Sequence, residues 1–427
     1  MRRVTIAAFV LLLAPAAVPG QIVSPVMERV QAEREPLLET LQTLVLIESG
    51  SRDIEGLNRV SDVIAGRLRA LGGDVAFVVP GDDTIRFEDT PEQIGRAVLA
   101  RFRGTGTVNI LLLAHMDTVY ARGASAAQPF RIDGDRAYGL GIADDKHGVA
   151  LILHTLAVLD ALDFRDYGTL TVLINGDEEI SSPGSRALIT RLGREHDVVI
   201  SCEGGGPEGN ARVQVATTGN GDVILRVAGR ASHAGAAPEE GRNALYELAH
   251  QILQMRDLSD PATGRKLNWT VASAGTVRNV IPAFAEAMAD ARVQRVADWD
   301  VIEAAVRERV ANTLIPDTSV EVIVERRRPP LEPTPASRQL GAHARSIYAE
   351  LGLELEVVTE GTGGGTDAAI AALDTRAAVL ESFGLQGAGA HSDEVEYILV
   401  SSIEPRLYLL SRTIMDIASS VVPLPVN

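Results

Sequence analysis

Val108-Asn109-Ile110-Leu111-Leu112-Leu113-Ala114-His115-Met116-Asp117 is the stretch on which the fold turns. Residues 108–113 form a short apolar run, as expected of a strand buried on both faces of a sheet. His115 and Asp117 follow at its end, two residues apart, so in extended chain they point to the same side. One imidazole nitrogen can then take a metal while a nearby carboxylate receives the other N–H and fixes the ring.

The pattern recurs along the chain. Residues 170–174 lead into Asn175-Gly176-Asp177-Glu178-Glu179, residues 198–201 into Glu203, and residues 377–381 precede His391. In an α/β sheet, side chains at the carboxyl ends of strands face one crevice, which is where such folds bind ligands. Asp144-Asp145 stand before a helical stretch that runs to about residue 162. Each of these groups has an ordinary reading by itself. A strand-end His or Asp is a common turn residue, Glu178-Glu179 is a solvated doublet, and Asp144-Asp145 can cap a helix whose N-terminus favours acids. Their recurrence in one context points instead to a metal site fed by several strands. His147, His154, His196, His250 and His343 lie in helical or charged stretches and are expected to be structural.

From about residue 24 to 218, helix and strand patterns alternate, which predicts an α/β fold with a mostly parallel sheet covered by helices on both faces. Thr217-Thr218-Gly219-Asn220-Gly221 reads as a linker out of that domain, and Pro329-Pro330-Leu331-Glu332-Pro333-Thr334-Pro335 as a stiff return. Between them the pattern gives strand 223–227, helix 242–258, strands 267–273 and 285–295, helix 298–314 and strand 319–325. That β-α-β-β-α-β order predicts a ferredoxin-like α+β insert. The expected organisation is a catalytic domain in two parts, 24–218 and 334–420, with an inserted lid at 219–333. Strand 285–295 alternates small apolar residues with Asp290, Arg292 and Gln294, so one of its faces is polar.

Forty Lys and Arg stand against 57 Asp and Glu, a formal charge of −17. Such an acidic chain is a poor partner for nucleic acid or an anionic membrane. The single cysteine, Cys202, excludes an intramolecular disulfide and a thiolate zinc cluster. Residues 1–20 have the charged start, apolar run and small-residue end of a secretory signal, and the run is short for a membrane span. A periplasmic or secreted protein, without a membrane partner once the signal is cleaved, is the expectation.

Leu112-Leu113-Ala114-His115-Met116-Asp117-Thr118-Val119-Tyr120, Gly139-Leu140-Gly141-Ile142-Ala143-Asp144-Asp145-Lys146 and Asn175-Gly176-Asp177-Glu178-Glu179 resemble the di-zinc metallopeptidases, a family of carboxypeptidases, aminoacylases and dipeptidases. Ala231-Ser232-His233-Ala234-Gly235, Asn279-Val280-Ile281-Pro282 and Gly363-Gly364-Gly365-Thr366-Asp367 resemble its glutamate carboxypeptidase (carboxypeptidase G) branch. The resemblance runs from about residue 30 to 415. It implies two Zn2+ ions per subunit, with Asp144 bridging them, His115 and Glu203 completing one, and Glu179 and His391 the other. It implies a cis peptide between Asp144 and Asp145, Asp117 supporting His115, and Glu178 as general base. His233 would stabilise the oxyanion from a partner subunit, in a homodimer formed through residues 219–333. Arg292, Asn279, Arg212 and the loop Gly363, Gly364 and Gly365 would bind the substrate.

Two departures bear on specificity. Where the branch has a lysine and a serine near the substrate's side chain, this chain has Arg212 and Gln214, and Gly361 replaces an arginine. The implied activity is release of a C-terminal amino acid, with glutamate as one candidate, from an N-acyl or peptide substrate. An aminoacylase or dipeptidase with another preference is the alternative, and a metal-bound binding protein without turnover the remote one.

Overall fold

A computed structural model describes residues 22–392 and 395–422. The signal segment at 1–20 lies outside the described residues. The strand Asn109–His115 sits inside a six-stranded sheet, flanked by Thr169–Asn175 and Val198–Ser201, both parallel to it. Ala378–Leu380 extends the parallel side, while Ala97–Arg103 and Asp74–Val78 add an antiparallel edge beyond Thr169–Asn175.

The continuous apolar run has a clear cause. Ile110, Leu112 and Ala114 pack into one core with Leu41, Leu151 and Leu407, from the helices Ser24–Val45, His147–Ala161 and Ile403–Ala418. Leu111 and Leu113 pack on the opposite face against Leu188, Ile189 and Leu192 of Arg186–Glu195 and Ile370 of Asp367–Ala371. Each fully buried leucine contributes on the order of 2 kcal/mol by leaving water. The strand is thereby fixed on both faces, and its C-terminal residue His115 is carried into the crevice. Sequence patterning had not separated the small hairpin Arg131–Asp133 and Arg136–Tyr138, which pairs with Tyr397–Leu399.

The insert has the β-α-β-β-α-β order: Gly219–Ala228, Ala244–Gln254, Lys266–Ala274, Phe284–Val293, Asp298–Val310 and Ser319–Arg328. Its antiparallel sheet runs Lys266–Ala274, Phe284–Val293, Gly219–Ala228, Ser319–Arg328. Val223, Leu225, Ala287 and Ala289 face its two helices and bury Trp299 and Ile302. The other face carries Asp222, Arg226, Glu286, Asp290 and Arg292 and turns towards the body. There Arg226 pairs with Glu88 at 2.5 Å, and Arg327 with Asp89 at 2.8 Å.

Two boundaries differ from expectation. Gly219, Asn220 and Gly221 are not linker but the start of a strand. Glycine is required at 221 because a β-carbon would meet the Glu325 carbonyl and stand 2.6 Å from the Trp299 ring. Opposite it, the last strand runs on past Glu325 to Arg328 through a register shift. The helix-cap reading of Asp144-Asp145 also fails. Both residues have non-helical backbone, their shared peptide is cis as the resemblance implies, and the helix starts only at His147.

Two glycines give opposite expectations. Gly221→Ala is expected to lower stability by about 1–3 kcal/mol through overpacking of the lid. Gly66→Ala, on an open face of the helix Ile54–Ala70, is expected to raise it by about 0.5–1 kcal/mol. Urea denaturation of the two variants checks both signs.

Candidate active site

His115 ends its strand buried, with Nε2 2.9 Å from Asp144 Oδ1. His391, on a loop with φ of 63°, places its Nε2 3.1 Å from Asp144 Oδ2 and 3.1 Å from Glu179 Oε2. The two oxygens of Asp144 therefore serve two different imidazoles. Asp144, Glu179 and His391 each offer a ligand atom, all within 4.8 Å of one another. Glu203 follows the strand Val198–Ser201, and its carboxylate accepts the Thr366 hydroxyl at 3.2 Å.

Asp117 lies 3.4 Å from His115 Nδ1, whose nearer partner is Asp117's own carbonyl at 3.1 Å. The carboxylate does more elsewhere. It accepts the N–H of Glu178 and of Glu179, each at 3.1 Å, and the Ser51 hydroxyl at 2.8 Å. The end of one strand thus holds the turn that follows its neighbour.

Held this way, Glu178 and Glu179 diverge. Glu179 meets His391, whereas Glu178 Oε2 lies 2.8 Å from Arg328 Nη2 and 3.9 Å from His115 Nε2. Arg328 also donates to the carbonyls of Glu178 and, at 3.2 Å, of Gly365. Sequence reasoning missed Arg328. The run Arg326-Arg327-Arg328 looks like a solvated strand end, and the register shift after Glu325 breaks the alternation that would show which arginine turns inward.

The remaining expected residues are more dispersed. His233 is exposed, and its Nδ1 accepts the N–H of Gly235 and Ala236 at 3.1 and 3.0 Å. That leaves its Nε2 as a donor. Within this chain it makes no hydrogen bond to the acid cluster. Asn279 is exposed on the facing segment and accepts Ala234 N–H through its carbonyl. Arg292 is engaged by Asp290 through three hydrogen bonds of 2.8–3.1 Å. Its cross-strand neighbours are Lys266 and Asn220, and Asn220 in turn faces Arg328. Arg212 is half-buried in the strand Arg212–Gln214. Gly363 has a φ of 88° and open space beside it, as does Gly364, while a side chain at Gly365 would strike Arg328.

Both specificity departures look different in three dimensions. Gln214 is turned into the protein, donating to Ser382 Oγ at 2.7 Å rather than standing free with two donors. At Gly361 a side chain would run into Gln294 and the Thr217 carbonyl, and Gln294 donates to the Gly361 carbonyl at 3.0 Å. The histidines set aside as structural pack away from the acid cluster: His154 meets Glu33 and Thr40, His196 Leu192 and Thr171, His343 Asp416, and His250 Asn312. His147 is buried at its helix start, 3.5 Å from Asp145. Cys202 is buried and unpaired.

The electrostatics explain what the cluster wants. Burial pushes Glu178 and Glu203 well above the usual carboxylate range, with Arg328 opposing it at Glu178 and neighbouring acids adding to it at Glu203. Burial acts on Asp144 too, but hydrogen bonds from His115 and His391 outweigh it and hold the carboxyl below its usual range. The same bonds from Asp144 and Glu179 raise His391 to about 10. Imidazoles so strongly driven to carry positive charge mark a place that calls for cations. One carboxylate facing two imidazoles, with further carboxylates alongside, is a nitrogen and oxygen donor set that suits zinc.

Comparison with known proteins agrees with this geometry. Residues 111–416 match the model of peptidase family M20/M25/M40. The chain is 42% identical to carboxypeptidase G2 of Pseudomonas sp. (strain RS-16) over 387 residues, 91% of this chain and 90% of that protein. It is 28% identical to acetylornithine deacetylase of Klebsiella pneumoniae (strain 342) over 230 residues, 52% of this chain and 56% of that one. Among solved structures, aminopeptidase PepT from Bacillus cereus superposes with a TM-score of 0.71 at 21% identity, covering 90% of this chain and 99% of that one. The metallo-carboxypeptidase Sso-CP2 from Sulfolobus solfataricus gives 0.67 at 17% identity, covering 89% and 98%. The chain belongs to the peptidase family M20/M25/M40 and is a metal-dependent hydrolase of that family.

Proposed function

We propose that this hydrolase is a di-zinc exopeptidase that releases a C-terminal amino acid from an N-acyl or peptide substrate. The observation that carries the proposal is Asp144 giving one oxygen to His115 and the other to His391, with Glu178 beside them. His115, Asp144 and Glu203 would hold one ion, and Asp144, Glu179 and His391 the other. When bound, the ions lower the pKa of water and polarise the scissile carbonyl.

The protein's own groups then divide the work. Glu178, its pKa raised by burial, takes a proton from water and returns it to the leaving nitrogen. A substrate's free carboxylate is drawn to the cationic end of the lid sheet, at Arg292 and Arg328, where a guanidinium fork matches it. Because Asp290 already occupies Arg292, the carboxylate must share or displace that partner. Beyond Glu179 a cleft of about 540 Å3, lined by Val119, Tyr120 and Ile180, has room for the acyl portion. His233 would serve as the oxyanion donor, and its hydrogen bonds to its own loop rather than to the cluster support delivery from a second subunit. Leu253, Val271 and Phe284 lie exposed on the lid, as a homodimer through that domain requires. The sequence of residues 1–20 supports export, and among the described residues no helix is long and apolar enough to cross a membrane.

The resemblance of the motifs to the glutamate carboxypeptidase branch favours glutamate release, with Arg212 as the partner of an acidic side chain. A second preference, for uncharged side chains, draws on the inward-turned Gln214 and the closed position 361. A binding protein without turnover is disfavoured by Glu178, which a structural metal site would not need.

Three outcomes are expected. Chelation should abolish amino-acid release from N-acyl amino acids, and added zinc should restore it. Glu178→Ala should keep its metal by elemental analysis while kcat falls by at least about 100-fold; retained turnover would remove Glu178 from the mechanism. Arg292→Ala should raise KM for substrates with a free α-carboxylate about tenfold or more and shrink their advantage over α-amides, since a charged hydrogen bond contributes about 1.5–3 kcal/mol.

A further inference from the structure

Glu396 is a fully buried carboxylate that none of the steps above uses. Its Oε2 accepts the Gly141 N–H at 2.8 Å and the Tyr120 hydroxyl at 2.7 Å, and its Oε1 accepts the Ala143 N–H at 2.8 Å. Its backbone carbonyl takes the Gly139 N–H at 3.3 Å and the Gln128 side-chain amide at 3.2 Å. Almost the whole turn leading into Asp144 is therefore hung on one residue. Glu396 lies five residues after His391 in sequence and leads directly into the strand Tyr397–Leu399.

Tyr120 ties the two pieces a second time. Its single hydroxyl proton is shared between Glu396 Oε2 and the carbonyl of Ser392, which lies 2.9 Å away and next to His391. His391 itself is more than half exposed, whereas His115 is buried at the end of a strand paired on both sides. Asp144 and His391 thus depend on a common support that His115 and Glu203 do not share.

We propose that Glu396 is a positioning residue that fixes the His391 loop against the Asp144 turn and so sets the affinity of the cation position shared by Asp144, Glu179 and His391. The other position shares only Asp144 with it, and its His115 and Glu203 are carried by their own strand ends, so it should respond much less. This inference rests on the metal-site reading above. Glutamine at 396 keeps the size but turns an acceptor into an N–H donor facing other donors. Loss of such outer support typically weakens a metal site about 10–100-fold.

The experiment is zinc titration of the full chain, with metal analysis after dialysis. Wild type should bind two ions. Glu396→Gln should weaken the ion at Asp144, Glu179 and His391 about 10–100-fold and the other, which shares only Asp144, by less than about threefold. Tyr120→Phe, which removes one donor, should weaken that same ion by a smaller factor, about threefold to tenfold. In a His391→Ala background, which already lacks the affected ion, Glu396→Gln should change the remaining affinity by less than about threefold. Equal weakening of both ions, or of neither, would overturn the inference while leaving the metal site intact. A wild type that binds no zinc would overturn both. If Glu396→Gln does not fold by circular dichroism, Tyr120→Phe decides by the same criteria.

Discussion

The Asp117 carboxylate is the constraint on which the rest of the site depends. It is fully buried, so its two oxygens must find their donors inside the protein. Two of those donors are the backbone N–H groups of Glu178 and Glu179, and a third is Ser51. A single side chain at the end of Asn109–His115 therefore dictates where the turn after Thr169–Asn175 lies. From that turn one acid goes to His391 and the other to Arg328. Without the tie, the two strand ends would still be neighbours in the sheet, but their functional side chains would have no common frame.

The second organising fact is a surplus of buried acid. Behind Asp144, Glu178, Glu179 and Glu203 stand Asp145, Asp177, Asp367 and Glu381, all pushed up by burial. Hydrogen bonds answer part of this: Asn175 donates to Asp177 at 3.2 Å and to Asp367 at 2.7 Å, and Ser182 donates to Asp367. The positive side is supplied by His115, His391 and Arg328. Arg328 belongs to the inserted domain, so the charge around Glu178 and the position of that domain are linked. Arg226 with Glu88 and Arg327 with Asp89 add further ties across the same boundary.

Much of this was legible from residues alone. The parallel centre of the sheet follows from unbroken apolar runs, and the lid topology from the order of period-two and helical segments. His115, Asp144, Glu179 and His391 were recognisable because each follows a strand or opens a turn in a matching motif, and the structure brings their side chains within hydrogen-bond reach. Other residues carried no such signal. Arg328 is one of three consecutive arginines, and Glu396 is one acid in an acidic stretch. Gln214 looked like a free pair of donors until its neighbour Ser382, 168 residues away, was in view. Gly219–Gly221 looked like a linker because glycine marks both turns and close backbone approaches.

By itself the sequence determined the sheet's buried strands, the inserted lid and the acids and imidazoles that meet in the crevice. Those follow from local periodicity and from motifs in which ligand spacing is written along the chain. Only the tertiary structure decided that Asp117 holds the Glu178 turn, that Arg328 reaches Glu178 and that Glu396 ties the Asp144 turn to Tyr120. Each of these is a contact of a buried charge with groups far away in the chain. Burial makes its donors obligatory, and only the folded arrangement says which donors those are.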